Sequence, residues 1–217
     1  MSDTPPSSKP IVIGVVGGIA SGKSEVTRML STMNAIVISA DAIAHRVLLE
    51  PDVIGALVEI FGVGILHEQP SAPDQSRSIN RKRLGSMVFG DSDDKRAMRR
   101  KLEAIVHPRI RQIAREELAS RLLDTSHPLI VLDAPLLIEG GWLPNCNRVL
   151  FVDSPDEMRK KRAMERGWTE QEWQDRESAQ LSFAEKRMVA TDILVNDGTL
   201  IQLQQRVVDF VANLVFK

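Results

Sequence analysis

The chain has 217 residues, a formal net charge of −1 and 26% charged residues, a balance that is ordinary for a globular protein and excludes the strongly basic surface typical of nucleic-acid binders. No apolar run approaches the roughly 18 residues of a membrane span, and the single cysteine, Cys146, excludes an internal disulfide and a cysteine-based zinc site. We therefore expect a cytoplasmic protein that has neither nucleic acid nor a membrane as its partner.

The N-terminal residues 1–10 are rich in Ser and Pro and contain no apolar core. We expect a frayed tail there rather than a signal peptide or an anchor. The apolar run Ile11–Val16 then predicts a buried strand, and the apolar spacing of Glu25–Met33 predicts an amphipathic helix.

The residues between this strand and this helix fit the phosphate-binding pattern G-x-x-x-x-G-K-[ST] without a mismatch. They are Gly17, Gly18, Ile19, Ala20, Ser21, Gly22, Lys23 and Ser24. Glycines allow backbone N–H groups to turn towards phosphate oxygens, and the helix N-terminus adds a partial positive charge. Lys23 is placed to reach the β- and γ-phosphates, and Ser24 to hold Mg²⁺. A chance glycine-rich turn is the competing interpretation, but the flanking strand and helix favour a nucleoside triphosphate site.

A second short strand is predicted at Ala35–Ser39, and Asp41 follows it at the start of a helical pattern. Ligands of open α/β sheets bind at the carboxyl ends of the strands, which favours a role for Asp41 in the site. An ordinary helix N-cap is an equally good interpretation of this residue.

From Pro51 to about Arg121 the pattern changes to helices and loops without strand signal. We predict helices at Pro51–Phe61 and Asn80–Phe89, and one from about Asp93 to Val106. Pro108 is expected to start a further helix in its first turn, so His107-Pro108 is most simply interpreted as a helix boundary.

Three more strands are predicted at Leu129–Asp133, Val149–Asp153 and Ile193–Val195. Asp133 ends the first of them and is a candidate Mg²⁺ ligand, like the acid of a Walker B motif. The apolar stretch 134–142 suits a pocket-lining loop or a packed surface loop.

A basic helix follows the fourth strand, and Arg159, Arg162 and Arg166 share one of its faces. Such a face suits transferring phosphoryl oxygens, although a solvated helix surface is the commoner explanation. A second helix is predicted at about Thr169–Val189.

Together the pattern predicts an α/β P-loop fold with a five-stranded parallel sheet covered on both faces and a helical lobe. We assign 11–50 and 122–217 to the nucleotide-binding core and 51–121 to the helical lobe.

From about Ile11 to Thr199 the chain resembles the dephospho-coenzyme A kinase family. The resemblance is carried by Gly14–Ser24, Ala40–His45, Phe61-Gly62 with Ile65-Leu66, Ile79–Arg81, Leu102–Pro108, Asp133–Glu139, Arg176 with Gln180, and Asn196–Gly198. It implies a three-layer P-loop kinase fold in which 51–121 is a helical substrate-binding insertion, the acceptor-substrate lobe, and about 155–190 within the core is a helical lid. It also implies transfer of the γ-phosphoryl group of ATP to the ribose 3′-hydroxyl of dephospho-CoA, with Mg²⁺, as the last step of coenzyme A synthesis. The chain departs from the family at Ser39 and Thr191, which often are Asp, and at Arg159, which often is Gln.

The resemblance also implies the residue roles. Asp41 is the base or orienting group for the accepting hydroxyl, and Arg162 and Arg166 are lid arginines. The acceptor is held near His107, Pro108, Asp133, Leu136 and Leu137, and adenine near Asn196 and Gly198.

Two alternatives are a nucleoside or nucleoside-monophosphate kinase, which acceptor preference would reveal, and a nucleotide-gated binding protein, which would bind ATP without acceptor-dependent ADP release. We expect a monomer or a small homo-oligomer.

Overall fold

A computed structural model describes residues 9–67, 78–90, 92–134 and 137–215. Nearly all of the predicted tail, Leu136 and most of the loop before Ile79 lie outside these residues. The five strands are β1 Ile11–Gly17, β2 Ala35–Ser39, β3 Leu129–Asp133, β4 Arg148–Asp153 and β5 Asp192–Val195. The helices are α1 Lys23–Thr32, α2 Ala40–Val47, α3 Pro51–Phe61, α4 Arg81–Val88, α5 Asp93–Leu122, α6 Asp156–Glu165, α7 Glu170–Ser178, α8 Phe183–Met188 and α9 Leu200–Val215.

The strands form one parallel sheet in the order β2-β3-β1-β4-β5. The central strand β1 carries the phosphate loop at its carboxyl end, and its register pairs Gly17 with Val152 of β4. Further along the same edge, Ser39 of β2 pairs with Asp133 of β3. The predicted α/β fold with a five-stranded parallel sheet is confirmed.

The inner strands β1 and β3 carry apolar side chains that are buried beneath helices. Ile13, Val15, Leu129 and Val131 are fully buried, because helices α1 and α9 cover this face of the sheet. The opposite face buries Phe151, whose ring meets that of Phe183 in α8 edge to face at 4.7 Å. Burial on both faces is what a parallel sheet requires.

Gly14 on β1 is required by close packing against the apolar loop. A methyl group added there would lie 2.8 Å from Cys146 Sγ and 3.0 Å from a methyl carbon of Leu137. Burial raises the pKa of the Cys146 thiol to about 11, so this cysteine is protonated and unreactive at neutral pH.

Two helix predictions are wrong. Pro108 does not start a helix but lies inside the single 30-residue helix α5. Asp93 and Asp94 in its first turn stabilise the helix through favourable interaction with the helix dipole. The helical turns continue on both sides of the proline.

The predicted helix 169–189 is in fact two helices, α7 and α8. Ser182 caps α8 in a capping box with Glu185, in which the serine Oγ accepts from the Glu185 N–H and the glutamate accepts from the Ser182 N–H. This S-x-x-E pattern is a helix start signal, and it interrupts the helix that the apolar spacing suggested.

The chain divides into two compact units. One runs to Ser39 and resumes at Leu118, and the other is Ala40–Glu117. Among the described residues, no helix is long and apolar enough to cross a membrane.

Candidate active site

The phosphate loop closes on itself before α1 begins. The Ser21 N–H donates to Gly18 O at 3.2 Å, and the Val26 N–H donates to Gly22 O at 3.0 Å. Gly22 has φ of 100°, a left-handed conformation that favours glycine. Since α1 starts at Lys23, its free N–H groups and positive dipole end stand at the loop, which is the arrangement that binds phosphate.

Asn196, directly after β5, anchors this loop from across the sheet. Its side-chain amide donates to Ser21 O at 2.7 Å, its own N–H donates to Asp153 O at 2.6 Å, and it is only 5% exposed. A methyl group on Gly22 would lie 2.3 Å from the Asn196 Nδ2. The structure therefore gives Asn196 a role in holding the loop; its predicted contact with adenine, like that of Gly198, stays a prediction.

The Lys23 ammonium group lies back on the loop. Nζ donates to Gly17 O at 3.2 Å and to Gly18 O at 3.5 Å. Its pKa is lowered from 10.5 to about 8, first by burial and then by the nearby Lys186, while the Asp133 carboxylate opposes both effects. A desolvated cation of this kind is well suited to pairing with phosphate oxygens.

Oxygen atoms suitable for Mg²⁺ lie at two of the predicted positions. Ser24 is exposed in the first turn of α1, and Asp133 ends β3. The described residues contain no group of three His, Cys, Asp or Glu that could hold a metal by themselves. This donor set fits Mg²⁺, which kinases bind through one or two protein oxygens together with the substrate phosphates.

Arg162 of α6 reaches the loop. Its Nη1 donates to Ser154 Oγ at 2.9 Å and to the carbonyl oxygens of Ala20 and Ser21 at 3.4 Å. Burial and the nearby Arg166 lower the pKa of its guanidinium group. Arg166 itself is exposed at the C-cap of α6.

Arg159 is also buried against the loop, so these two arginines do not form a solvated helix surface.

Sequence reasoning overlooked Glu177 and gave no role to Lys186. Glu177 accepts the Ile19 N–H, and the nearly buried Lys186 donates to Gln180 Oε1 at 2.7 Å. Gln180 is one of the residues that carry the family resemblance, and it was the sequence signal that pointed to Lys186. No sequence signal pointed to Glu177, because it is an acid on a mostly exposed helix.

The remaining predicted residues are described within their own elements. Asp41 is exposed in the first turn of α2, one residue inside the helix, so it is not the N-cap. His107 and Pro108 lie within α5. Leu137 is buried and packs towards Gly14, and Leu136 lies outside the described residues.

A parallel sheet with a phosphate loop on its central strand, a lysine in that loop and arginines closing on it from a later helix define a P-loop phosphotransferase. The family model for dephospho-CoA kinase matches residues 11–202. The dephospho-CoA kinase of Rhodopirellula baltica is 34% identical over 98% of this chain and 94% of its own, and that of Streptomyces avermitilis is 40% identical over 94% of each. A crystal structure of a Thermus thermophilus protein superposes with a TM-score of 0.73 at 33% identity, covering 97% of this chain and 100% of that one.

The chain belongs to the dephospho-CoA kinase family. These are ATP-dependent enzymes of the final step of coenzyme A synthesis, and the family and activity predicted from the motifs are confirmed.

Proposed function

We propose that this chain transfers the γ-phosphoryl group of ATP to the ribose 3′-hydroxyl of dephospho-CoA, giving coenzyme A and ADP. The observation that carries the proposal is the phosphate loop itself, in which a half-buried lysine, Lys23, lies close to the charges of Arg159, Lys186 and Asp133. This cluster of fixed cations offers the charge stabilisation on which phosphoryl transfer depends.

In the proposed reaction, the accepting hydroxyl oxygen forms a bond to the γ-phosphorus while the bond from that phosphorus to the bridging oxygen of ADP breaks. The hydroxyl proton passes to the Asp41 carboxylate, which orients the hydroxyl or acts as its base. Lys23, Arg162 and Arg166 stabilise charge on the transferring group. Because the transition state needs mainly positioning and charge, a carboxylate of ordinary basicity suffices.

Ser24 and Asp133 are proposed to hold Mg²⁺, which when bound neutralises charge on the phosphates. The loop Gly17–Ser24 is proposed to bind the phosphates, and Asn196 and Gly198 the adenine.

We also propose that the segment 51–121 recognises the acceptor through His107 and Pro108, and that Asp133, Leu136 and Leu137 of the core complete the acceptor site. The segment 155–190 serves as the lid. A cytoplasmic location and a monomer or small homo-oligomer belong to the same proposal.

The test is ADP release from Mg²⁺-ATP with dephospho-CoA, CMP, AMP and adenosine as separate acceptors, with the products identified by mass. We expect release only with dephospho-CoA, together with coenzyme A. Release with a nucleotide or nucleoside instead would keep the kinase chemistry and overturn the substrate, and ATP binding without release would favour a sensor.

Asp41→Asn tests the acceptor role separately. The amide keeps the size of the side chain but cannot take the proton, so kcat should fall by about 10²-fold or more while ATP affinity stays within about twofold. Asp52→Asn, another exposed acid early in a helix of the same unit, is the matched control. An unchanged kcat in Asp41→Asn would remove the role assigned to Asp41.

A further inference from the structure

An ion pair between a buried arginine and a half-buried glutamate lies against the phosphate loop. The Arg159 side chain is only 3% exposed, and its Nη1 donates to Glu177 Oε1 at 2.6 Å. Its other acid, Asp156, accepts from Nη2 at 2.7 Å but is 77% exposed, so water screens that partner. The rings of Trp173 and Phe183 stack near the guanidinium at 5.5 and 4.9 Å. Glu177 is therefore the main counter-charge of a cation that has been removed from water.

The same two side chains hold one residue of the loop through both of its backbone polar groups. Glu177 Oε2 accepts the Ile19 N–H at 3.0 Å, and Arg159 Nη1 donates to Ile19 O at 3.4 Å. Ile19 is the third residue of the phosphate loop. Because both of its backbone polar groups are bound, the loop cannot turn at Ile19 without breaking contacts to α6 and α7.

The residue before Ile19 shows how closely the pair approaches the backbone. A methyl group added at Gly18 would lie 2.2 Å from Arg159 Nη1 and 3.0 Å from Glu177 Oε1. Gly18 has no left-handed φ that would require glycine, so the contact with the ion pair is what excludes a side chain there.

We propose that Arg159 and Glu177 are positioning residues that clamp the backbone N–H and C=O of Ile19 and so keep the phosphate loop in the shape that binds ATP. The clamp links α7 to the loop, and it gives Arg159, one of the cations near Lys23, a second task that is separate from charge stabilisation. The inference rests on the proposed function only through ATP binding. It also gives a role to Glu177, a negatively charged residue next to a site that binds the negatively charged triphosphate.

Because Glu177 is negatively charged, simple electrostatics and the clamp predict opposite changes in ATP affinity. By simple electrostatics, Glu177→Gln removes a negative charge from beside the triphosphate and should tighten ATP binding. If Glu177 is a clamp, the substitution leaves the buried Arg159 without the less exposed of its two acidic partners and loosens the loop. ATP affinity should then fall by about tenfold or more.

The affinity of a non-hydrolysable ATP analogue, measured by calorimetry, is compared in wild type, Glu177→Gln, Arg159→Gln and the double variant. Both single variants should bind weakly. The double variant should recover much of the loss, because two amides can hydrogen-bond where one charge was unpaired, giving a coupling of about fivefold or more. Asp156→Asn, which removes the exposed partner of the same guanidinium, should stay within about twofold of wild type.

Hydrogen exchange of the unliganded protein gives a second readout that needs no ATP. Glu177→Gln should accelerate amide exchange in residues 17–24, while Asp156→Asn should not. Glu177→Gln with unchanged or tighter analogue binding and unchanged loop exchange would overturn the clamp. If wild type binds the analogue but phosphorylates no acceptor, the proposed reaction fails while the clamp is still tested by binding and exchange.

Discussion

Positively charged side chains lie close together at the phosphate loop, and their mutual repulsion favours the binding of a negatively charged ligand. Lys23, Arg159 and Lys186 crowd one small volume, and burial is the first cause of the lowered pKa of both Lys23 and Lys186. Asp133 and Glu177 compensate only in part. A triphosphate supplies the missing negative charge, so binding should be strongly linked to the protonation of Lys23.

The first prediction follows from this linkage. In the unliganded protein the Lys23 pKa is about 8, and phosphate oxygens around Nζ should raise it. ATP affinity should therefore be greatest below pH 8 and should fall as the pH rises above it, because binding requires uptake of a proton. Calorimetry between about pH 7 and pH 9.5, in buffers of different ionisation enthalpy, measures both effects.

Lys23→Arg is the matched control, since a guanidinium keeps its charge over this range. Its ATP affinity should be lower but independent of pH, and an equal slope in this variant would contradict the assignment to Lys23.

The stability of the unliganded protein should change with pH in the opposite direction. The folded pKa of Lys23 is depressed below 10.5, so the unfolded chain binds more protons and the fold gains stability as the pH rises from about 8 to 10.5.

At the scale of elements, the most unusual feature is the proline inside α5. Pro108 has no N–H, so it cannot donate to Ala104 O, and its ring crowds the preceding turn. The helix nonetheless continues from Asp93 to Leu122. Buried apolar residues such as Ala114 and Leu118 help to hold its second half in place. The element therefore contains a local defect that packing outweighs.

Pro108→Ala should raise the free energy of unfolding by about 1–3 kcal/mol, because alanine restores the missing donor at an exposed position. Urea denaturation measures this change. Arg115→Ala, at another exposed position of α5, should stay within about 0.5 kcal/mol of wild type. A loss of stability in Pro108→Ala would mean that the neighbouring structure requires the proline. The KM for dephospho-CoA in the same variant tests its proposed contact with the acceptor.

At the scale of the whole molecule, the nucleotide residues are concentrated in the unit that contains the sheet, whereas Asp41 and His107 belong to the unit Ala40–Glu117. ATP should therefore stabilise the two units unequally. Contacts assigned to ATP come from the phosphate loop, α6 and the turn after β5, which all belong to the first unit.

Mg²⁺-ATP at about 100 times its Kd should stabilise the protein by about 2.7 kcal/mol and raise Tm by roughly 5–10 °C. Protection from hydrogen exchange should be strongest in residues 17–24 and 154–198. EDTA should remove part of the Tm shift, and excess Mg²⁺ should restore it. Lys23→Ala should show almost no shift, so a full shift in that variant would contradict the assigned phosphate site.

The sequence by itself determined the phosphate loop, all five strands and their parallel arrangement, because these depend on local patterns. A glycine-rich loop between an apolar strand and a helix has one common structural meaning, and uninterrupted runs such as Leu129–Leu132 are typical of strands buried on both faces. The motifs that follow in order along the chain also identified the family.

Only the tertiary structure decided that α5 continues through Pro108, because a local penalty of a few kcal/mol is outweighed by contacts distant in sequence. Only the tertiary structure likewise revealed the pairing of the buried Arg159 with Glu177 and the anchoring of Ser21 by Asn196, which is 175 residues away in the chain. A charged or amide side chain has the same local signature whether it faces water or a buried backbone group. Its role depends on which elements the fold brings together, and that is a property of the packed sheet and its helices.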